Sequence, residues 1–251
     1  MSLRLRTCAL ASALLLAGAS IAAAQADAPK PVSFTGDLGF VSTAGNTSVT
    51  TLSVGDKLVG RTGKVVLTQL FSLIYGRNEG EENANSILFR GRLDYPLSGK
   101  LSLYGFGGYE RNKFAGIARR FDEGAGLAYK AWRHPKNELS IEAGLGQVQE
   151  SRYLTGSSGA TGKNNFTSGR AAAAYKHLFT KTAYLSQTLE YLPNLENSDD
   201  YRINSESALV APLSSHFGLK MAYLIKYNAL PPSAGLEKTD RLFTTGVQVT
   251  Y

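Results

Sequence analysis

The chain has a single cysteine in 251 residues, Cys8, and it lies in the N-terminal stretch. No disulfide, iron–sulfur cluster or thiolate metal site can be built from it. Histidine is nearly as scarce, with His134, His177 and His216 alone. No Ser–His or Asp–His constellation falls at the long-loop end, and the sequence offers no metal site and no cofactor motif. Beyond residue 26 no apolar run approaches the roughly 20 residues of a membrane-spanning helix. One-signed charge is also lacking: without Arg4 and Arg6, 25 basic residues face 20 acidic ones, scattered along the chain. That excludes a nucleic-acid footprint.

What is present is a pattern at each end. Arg4 and Arg6 precede an apolar run over residues 8–24, followed by Ala22-Ala23-Ala24-Gln25-Ala26. This reads as a secretory signal, expected to be cleaved after Ala26, with Ala24 the alternative site. Residues 1–26 are then a signal peptide and 27–251 the mature domain. At the other end, Phe243, Val247, Val249 and Tyr251 alternate with polar or small residues. Period-two alternation is a strand with one apolar face. A last strand that stops on an aromatic is the expected insertion signal for the barrel-assembly machinery of the bacterial outer membrane.

Between the ends, short turns alternate with longer polar segments. The short ones are Gly60-Arg61-Thr62-Gly63, Pro96-Leu97-Ser98-Gly99, Arg133-His134-Pro135-Lys136-Asn137, Thr180-Lys181-Thr182 and Pro212-Leu213-Ser214-Ser215-His216. The longer ones are 43–48, 77–85, 111–120, 151–165, 193–200 and 230–238. Short turns on one side and long loops on the other define an up-and-down transmembrane β-barrel. The rhythm predicts an all-β fold of about 12 antiparallel strands. Counts of ten and fourteen stay open, because the alanines at 171–174 have helical propensity and weak strand register. Tyr75, Tyr109, Tyr191, Tyr201 and Tyr227 fall at the long-loop ends of the apolar phase; Tyr95, Phe179, Phe217 and Tyr251 fall at the short-turn ends. Two aromatic belts around an apolar band match two membrane interfaces. Asp56 and Glu123 break the outward phase, both expected near a strand end, and Gln187 breaks it in mid-strand.

Several motifs carry a family resemblance. They are Gly36-Asp-Leu-Gly-Phe-Val-Ser-Thr-Ala-Gly-Asn-Thr47, Tyr109-Glu-Arg-Asn-Lys-Phe114, Gly124-Ala-Gly-Leu-Ala-Tyr129 and Leu230-Pro-Pro-Ser-Ala-Gly-Leu-Glu-Lys-Thr-Asp240. In this order and spacing the chain resembles the salt-induced outer-membrane proteins, also called YdiY-like, a bacterial family of unknown function. The resemblance implies an outer-membrane barrel of a Gram-negative cell. It implies no catalytic or ligand residue.

The inward phase is the expected place for function. Its cations are Lys57, Arg90, Arg92, Lys130, Arg170, Lys176, Arg202, Lys220 and Lys226. Its anions are Asp37, Asp94, Glu110, Asp122, Glu142, Glu190, Glu206 and Asp240. Nearly balanced charges in a narrow lumen are expected to be paired or wet. They make either a salt-bridged filling or a narrow pore whose charges tune selectivity. Gly108, Gly124, Gly126, Gly144 and Gly146 share this phase. They either make room for Tyr104, Phe106 or Trp132, or form a smooth groove for a solute. Arg111, Lys113, Arg119 and Arg120 are placed in an outer loop, within reach of lipopolysaccharide phosphates. The acidic groups Glu79, Glu81, Glu82 and Glu196, Asp199, Asp200 are read as solvated loop charge.

The sequence thus predicts a monomeric outer-membrane barrel without enzymatic activity. It is a narrow ion or small-solute channel, or a closed structural barrel in envelope adaptation to salt stress. The alternatives are an outer-membrane lipid hydrolase and a soluble periplasmic barrel that binds an apolar ligand.

Overall fold

The alternation along the chain becomes a closed ring of strands. The structure is a computed structural model that describes residues 31–43, 49–113, 115–153, 161–231 and 236–251. The predicted signal segment and the loop positions 44–48, 154–160 and 232–235 lie outside the described residues. Twelve strands are described: β1 (Val32–Thr43), β2 (Val49–Thr62), β3 (Val65–Asn78), β4 (Glu81–Pro96), β5 (Leu101–Asn112), β6 (Ile117–His134), β7 (Asn137–Tyr153), β8 (Thr161–Leu178), β9 (Tyr184–Pro193), β10 (Tyr201–Pro212), β11 (Phe217–Asn228) and β12 (Thr239–Thr250). Each pairs antiparallel with its neighbours in sequence, and β12 returns to β1.

Closure runs from Thr35 opposite Thr250 to Gly39 opposite Gly246. The final residue seals it: Tyr251 N–H donates to the Phe34 carbonyl at 2.8 Å, and Phe34 N–H donates to the Tyr251 carbonyl at 3.1 Å. The alanines at 171–174 are a strand, paired with Ala143 to Ser140 of β7 and with Tyr191 to Thr188 of β9. Small side chains leave their register to be set by the neighbours, which fixes the count at twelve among the described residues.

Two connections differ from expectation. The polar segment 77–85 is not a long loop: β3 and β4 continue to a two-residue turn, Glu79-Gly80. Both turn residues have positive φ, 52° and 86°. That is the left-handed geometry hairpin twist demands, and Gly80 supplies it without strain. β6, β7 and β8 run to 18, 17 and 18 residues, beyond what a bilayer requires, so their loop-side ends project past the membrane.

The apolar phase faces out. Leu145 is 61 % exposed, Phe40 60 %, Phe243 58 % and Leu38 56 %. A band of this kind excludes the soluble alternative, which needs the apolar phase inside. The belts form as ring contacts: Tyr191 to Tyr201 at 5.9 Å and Tyr201 to Tyr227 at 5.8 Å at one end, His216 to Tyr251 at 5.4 Å at the other. Glu123 sits two positions below Phe121, which packs on Tyr109 at 5.2 Å. Asp56 is in the middle of β2, opposite Gly36 and Phe71, rather than near an end. Gln187 satisfies itself along the outer wall. Its Nε2 donates to Ser205 Oγ and to the Thr188 carbonyl, both at 2.9 Å, and its Oε1 accepts from Ser207 Oγ.

Leu145 lies at the centre of β7 on the outward face. Leu145→Arg is expected to cost about 2–4 kcal/mol, read as a lower urea midpoint of protein folded in vesicles. An unchanged midpoint removes the lipid-facing assignment.

Candidate functional site

The inward phase builds one continuous charged lumen. Its floor is a glycine wall in β5, β6 and β7. A β-carbon on Gly126 would meet Tyr104 Oη at 2.6 Å and Gly144 Cα at 2.7 Å; one on Gly124 would meet Phe106 Cε1 at 2.9 Å. Tyr104 and Phe106 therefore lie flat on glycine backbone, and Tyr104 is 1 % exposed. Gly124, Gly126 and Gly144 thus lie against Tyr104 and Phe106 and make room for these rings, whereas Gly146 meets only backbone and lines the cavity. Gly108 leaves its room to Asp122 and Arg90.

On this aromatic bed lie the arginines. The Arg92 guanidinium sits 4.2 Å from the Tyr104 ring centre, and Arg90 5.3 Å from that of Phe106. Arg92 forms a two-pronged bond to Asp94, Nε at 2.8 Å and Nη2 at 2.7 Å, and reaches Glu142 at 2.9 Å. Arg170 donates to the other side of this cluster: to Glu142, to Glu190 at 2.8 Å and to Tyr104 Oη at 3.0 Å. Arg90 bonds Asp122 at 2.6 Å and approaches Glu190 at 3.7 Å. Forked Arg–carboxylate bonds of this kind are strong and directional.

A second network lies toward the long loops. Arg120 joins Glu110 at 2.8 Å and Glu150; Glu150 also takes Arg152, which approaches Asp200 at 3.8 Å. Lys226 reaches Glu110 at 3.1 Å. In the ring order β11 and β5 are six strands apart, so this last pair crosses the lumen from wall to wall. A third set lies nearer the short turns: Lys220 to Asp37 at 2.6 Å, Gln248 to Asp37 at 2.9 Å and Tyr184 to Gln248 at 2.9 Å.

Beside the crossing pair a cavity of about 440 Å³ remains. Its lining runs from Pro231 and Lys238 at the long-loop end to Glu142, Ala174 and Glu206 in mid-barrel. Arg202 and Asn204 of β10 line it as well.

The chain matches the family model described as "Protein of unknown function, DUF481" over residues 36–251. It belongs to this family. It is similar to the uncharacterized protein YdiY of Escherichia coli (strain K12), at 27 % identity over 220 residues, 87 % of this chain and 83 % of that one. Among solved structures it resembles the translocator domain of the autotransporter NalP from Neisseria meningitidis, with TM-score 0.50, 15 % identity, and 88 % and 86 % of the two chains covered. The NanC porin follows with TM-score 0.47, 8 % identity, and 86 % and 97 % covered.

In this member of the family, Arg90, Arg92, Asp94, Glu110, Glu142, Arg170, Lys220 and Lys226 meet in the three networks. Glu206 lines the cavity without an ion pair among the described residues. Lys130 is exposed at the short-turn mouth and joins none of these pairs. A bulge just after it shifts the phase, so Trp132 pairs with Leu139 and points outward, 49 % exposed, instead of filling the lumen. Arg120, expected in an outer loop with Arg111, Lys113 and Arg119, is instead a buried lumen residue, 7 % exposed. Glu150 and Arg152 are further lumen charges that the sequence reading missed, and Asp200, expected as solvated loop charge, is instead buried, 4 % exposed, between Asn194 and Arg152. The signal for Arg120 and Glu150 was present: each continues its strand's inward phase, two positions from Asp122 and from Val148.

His134 is exposed and His216 half-buried at short turns, and His177 lies one residue before the end of β8 with Nδ1 2.8 Å from Asn137 Oδ1. None touches the lumen networks.

Glu142 holds two arginines, so Glu142→Ala takes one of two carboxylate partners from each, leaving Arg92 with Asp94 and Arg170 with Glu190, and is expected to cost about 3 kcal/mol. Glu206→Ala breaks no pair and is expected to cost under about 1 kcal/mol. Urea unfolding in vesicles compares them. In the same assay Gly126→Leu is expected to cost about 3 kcal/mol or more, because the new side chain meets Tyr104 and backbone rather than open space.

Proposed function

We propose that this protein is an outer-membrane barrel that conducts small ions or solutes through a narrow, charge-lined lumen. The lumen cavity of about 440 Å³, bordered by an ion pair that bridges opposite walls, carries this reading. Twelve strands fall between small filled barrels and the 16–18-stranded porins, so side chains rather than wall size set the aperture. The apolar exterior between two aromatic belts supports the outer-membrane location. The outward strand ending on Tyr251 supports delivery by the barrel-assembly machinery, and the barrel acts as a monomer. Arg111 and Arg119, exposed beyond the loop-side belt, face lipopolysaccharide phosphates. No enzymatic role is assigned: the three histidines lie at the short-turn end, away from the outer leaflet.

A second reading, a closed structural barrel serving envelope adaptation to ionic stress, is favoured by the crossing pair itself. One experiment separates the two. The refolded protein and Lys226→Ala are compared in planar bilayers under a salt gradient. Discrete conductance steps are expected, larger in Lys226→Ala because the strut from β11 to β5 is gone. Silence from both proteins, shown to be folded and inserted, overturns the channel and leaves the structural barrel.

A further inference from the structure

The lumen arginines divide into those closed by carboxylates and one that is not. Arg92, Arg120, Arg152 and Arg170 each hold at least two acidic or phenolic oxygens. Arg202 is buried, 9 % exposed, yet among the described residues none of its guanidinium N–H groups has an acceptor and no carboxylate lies within ion-pair distance. Its guanidinium rests 5.5 Å from the Phe166 ring centre and lines the cavity.

Three of the neighbouring acids are committed elsewhere. Glu110 gives one oxygen to Arg120 and the other to Lys226. Glu150 divides its two oxygens between Arg120 and Arg152. Asp200 Oδ2 accepts from Asn194 at 3.1 Å and faces Arg152. Asp240 lines the cavity in no ion pair among the described residues, with Lys226 as its strand partner and not within ion-pair distance of Arg202. A cation removed from bulk water needs an anion or water at its donors, and the side of Arg202 left unsatisfied is the cavity side. Asn204 and Lys226 are paired across β10 and β11 one inward step below it. They extend the same surface with an amide and an ammonium.

We propose that Arg202, on its Phe166 bed, is the binding point for the anionic group of a small solute, a carboxylate or a phosphate, in the loop-side half of the lumen. The planar fork of five N–H donors matches either group bidentately. A cavity of about 440 Å³ has room for a solute of monosaccharide size around it. This deepens the channel reading and rests on its wet lumen. It adds that the path selects for anionic groups through one fixed side chain rather than through net charge, which the paired network cancels.

The test is the arginine Nε–H NMR spectrum of the refolded protein in micelles, titrated at constant ionic strength with inorganic phosphate and separately with acetate. The Arg202 signal, identified by its absence in Arg202→Lys, is expected to shift saturably, while Arg92 and Arg170 stay still. Saturation with phosphate alone, or with acetate alone, names the group. Arg202→Lys keeps the charge and the fold but loses the fork, and is expected to bind about tenfold more weakly, read from the anion dependence of its urea midpoint. A uniform, non-saturating drift of every arginine, or equal anion stabilisation in Arg202→Lys, overturns the proposal. Binding is read here without current. Conductance without saturation sinks the anion point and spares the channel; saturation without conductance does the reverse.

Discussion

A backbone amide in hydrocarbon has no water to bond, and everything else in this fold follows from that. The ladder must close, and it does so at the seam where Tyr251 and Phe34 exchange two hydrogen bonds. Closure sorts every strand residue to one of two environments. The outer one rewards apolar bulk; the inner one collects what lipid rejects. The lumen charges are thus a consequence of the wall, and their pairing is a consequence of their confinement.

Confinement also explains the uneven wall. β5, β6 and β7 carry glycine inward, so Tyr104 and Phe106 can lie against the backbone and offer their faces to Arg92, Arg90 and Arg170. The glycines thin one side of the barrel to make a bed for cations. The opposite side carries Lys226 and Lys220, flexible chains that reach across or along the lumen.

Much of this was legible in the residues. Alternation with aromatics at strand ends gives the fold, the strand count and the outward face, because a period of two is blind to tertiary detail. Three things were not legible, each for a physical reason. The hairpin at Glu79-Gly80 looks like a loop because the ends of β3 and β4 are polar, as strands beyond the membrane are free to be. Trp132 changed sides through a one-residue bulge, which no period announces. Arg120 and Glu150 kept the inward phase through segments rich in polar residues, where phase was not carried far enough. Which inward charge meets which is harder still. It depends on the height that strand tilt gives each residue, and only the closed ring brings Glu110 opposite Lys226.

That last point has a kinetic side. Glu110 and Lys226 are 116 residues apart, and Asp37 and Lys220 are 183 apart. Neither pair can form in a partly assembled sheet whose first and last strands are still separate. Contacts absent from the folding transition state act on the way out rather than the way in. The pair across the lumen and the pair across the seam therefore work as a late latch: they leave the rate of barrel formation almost untouched and slow its reopening.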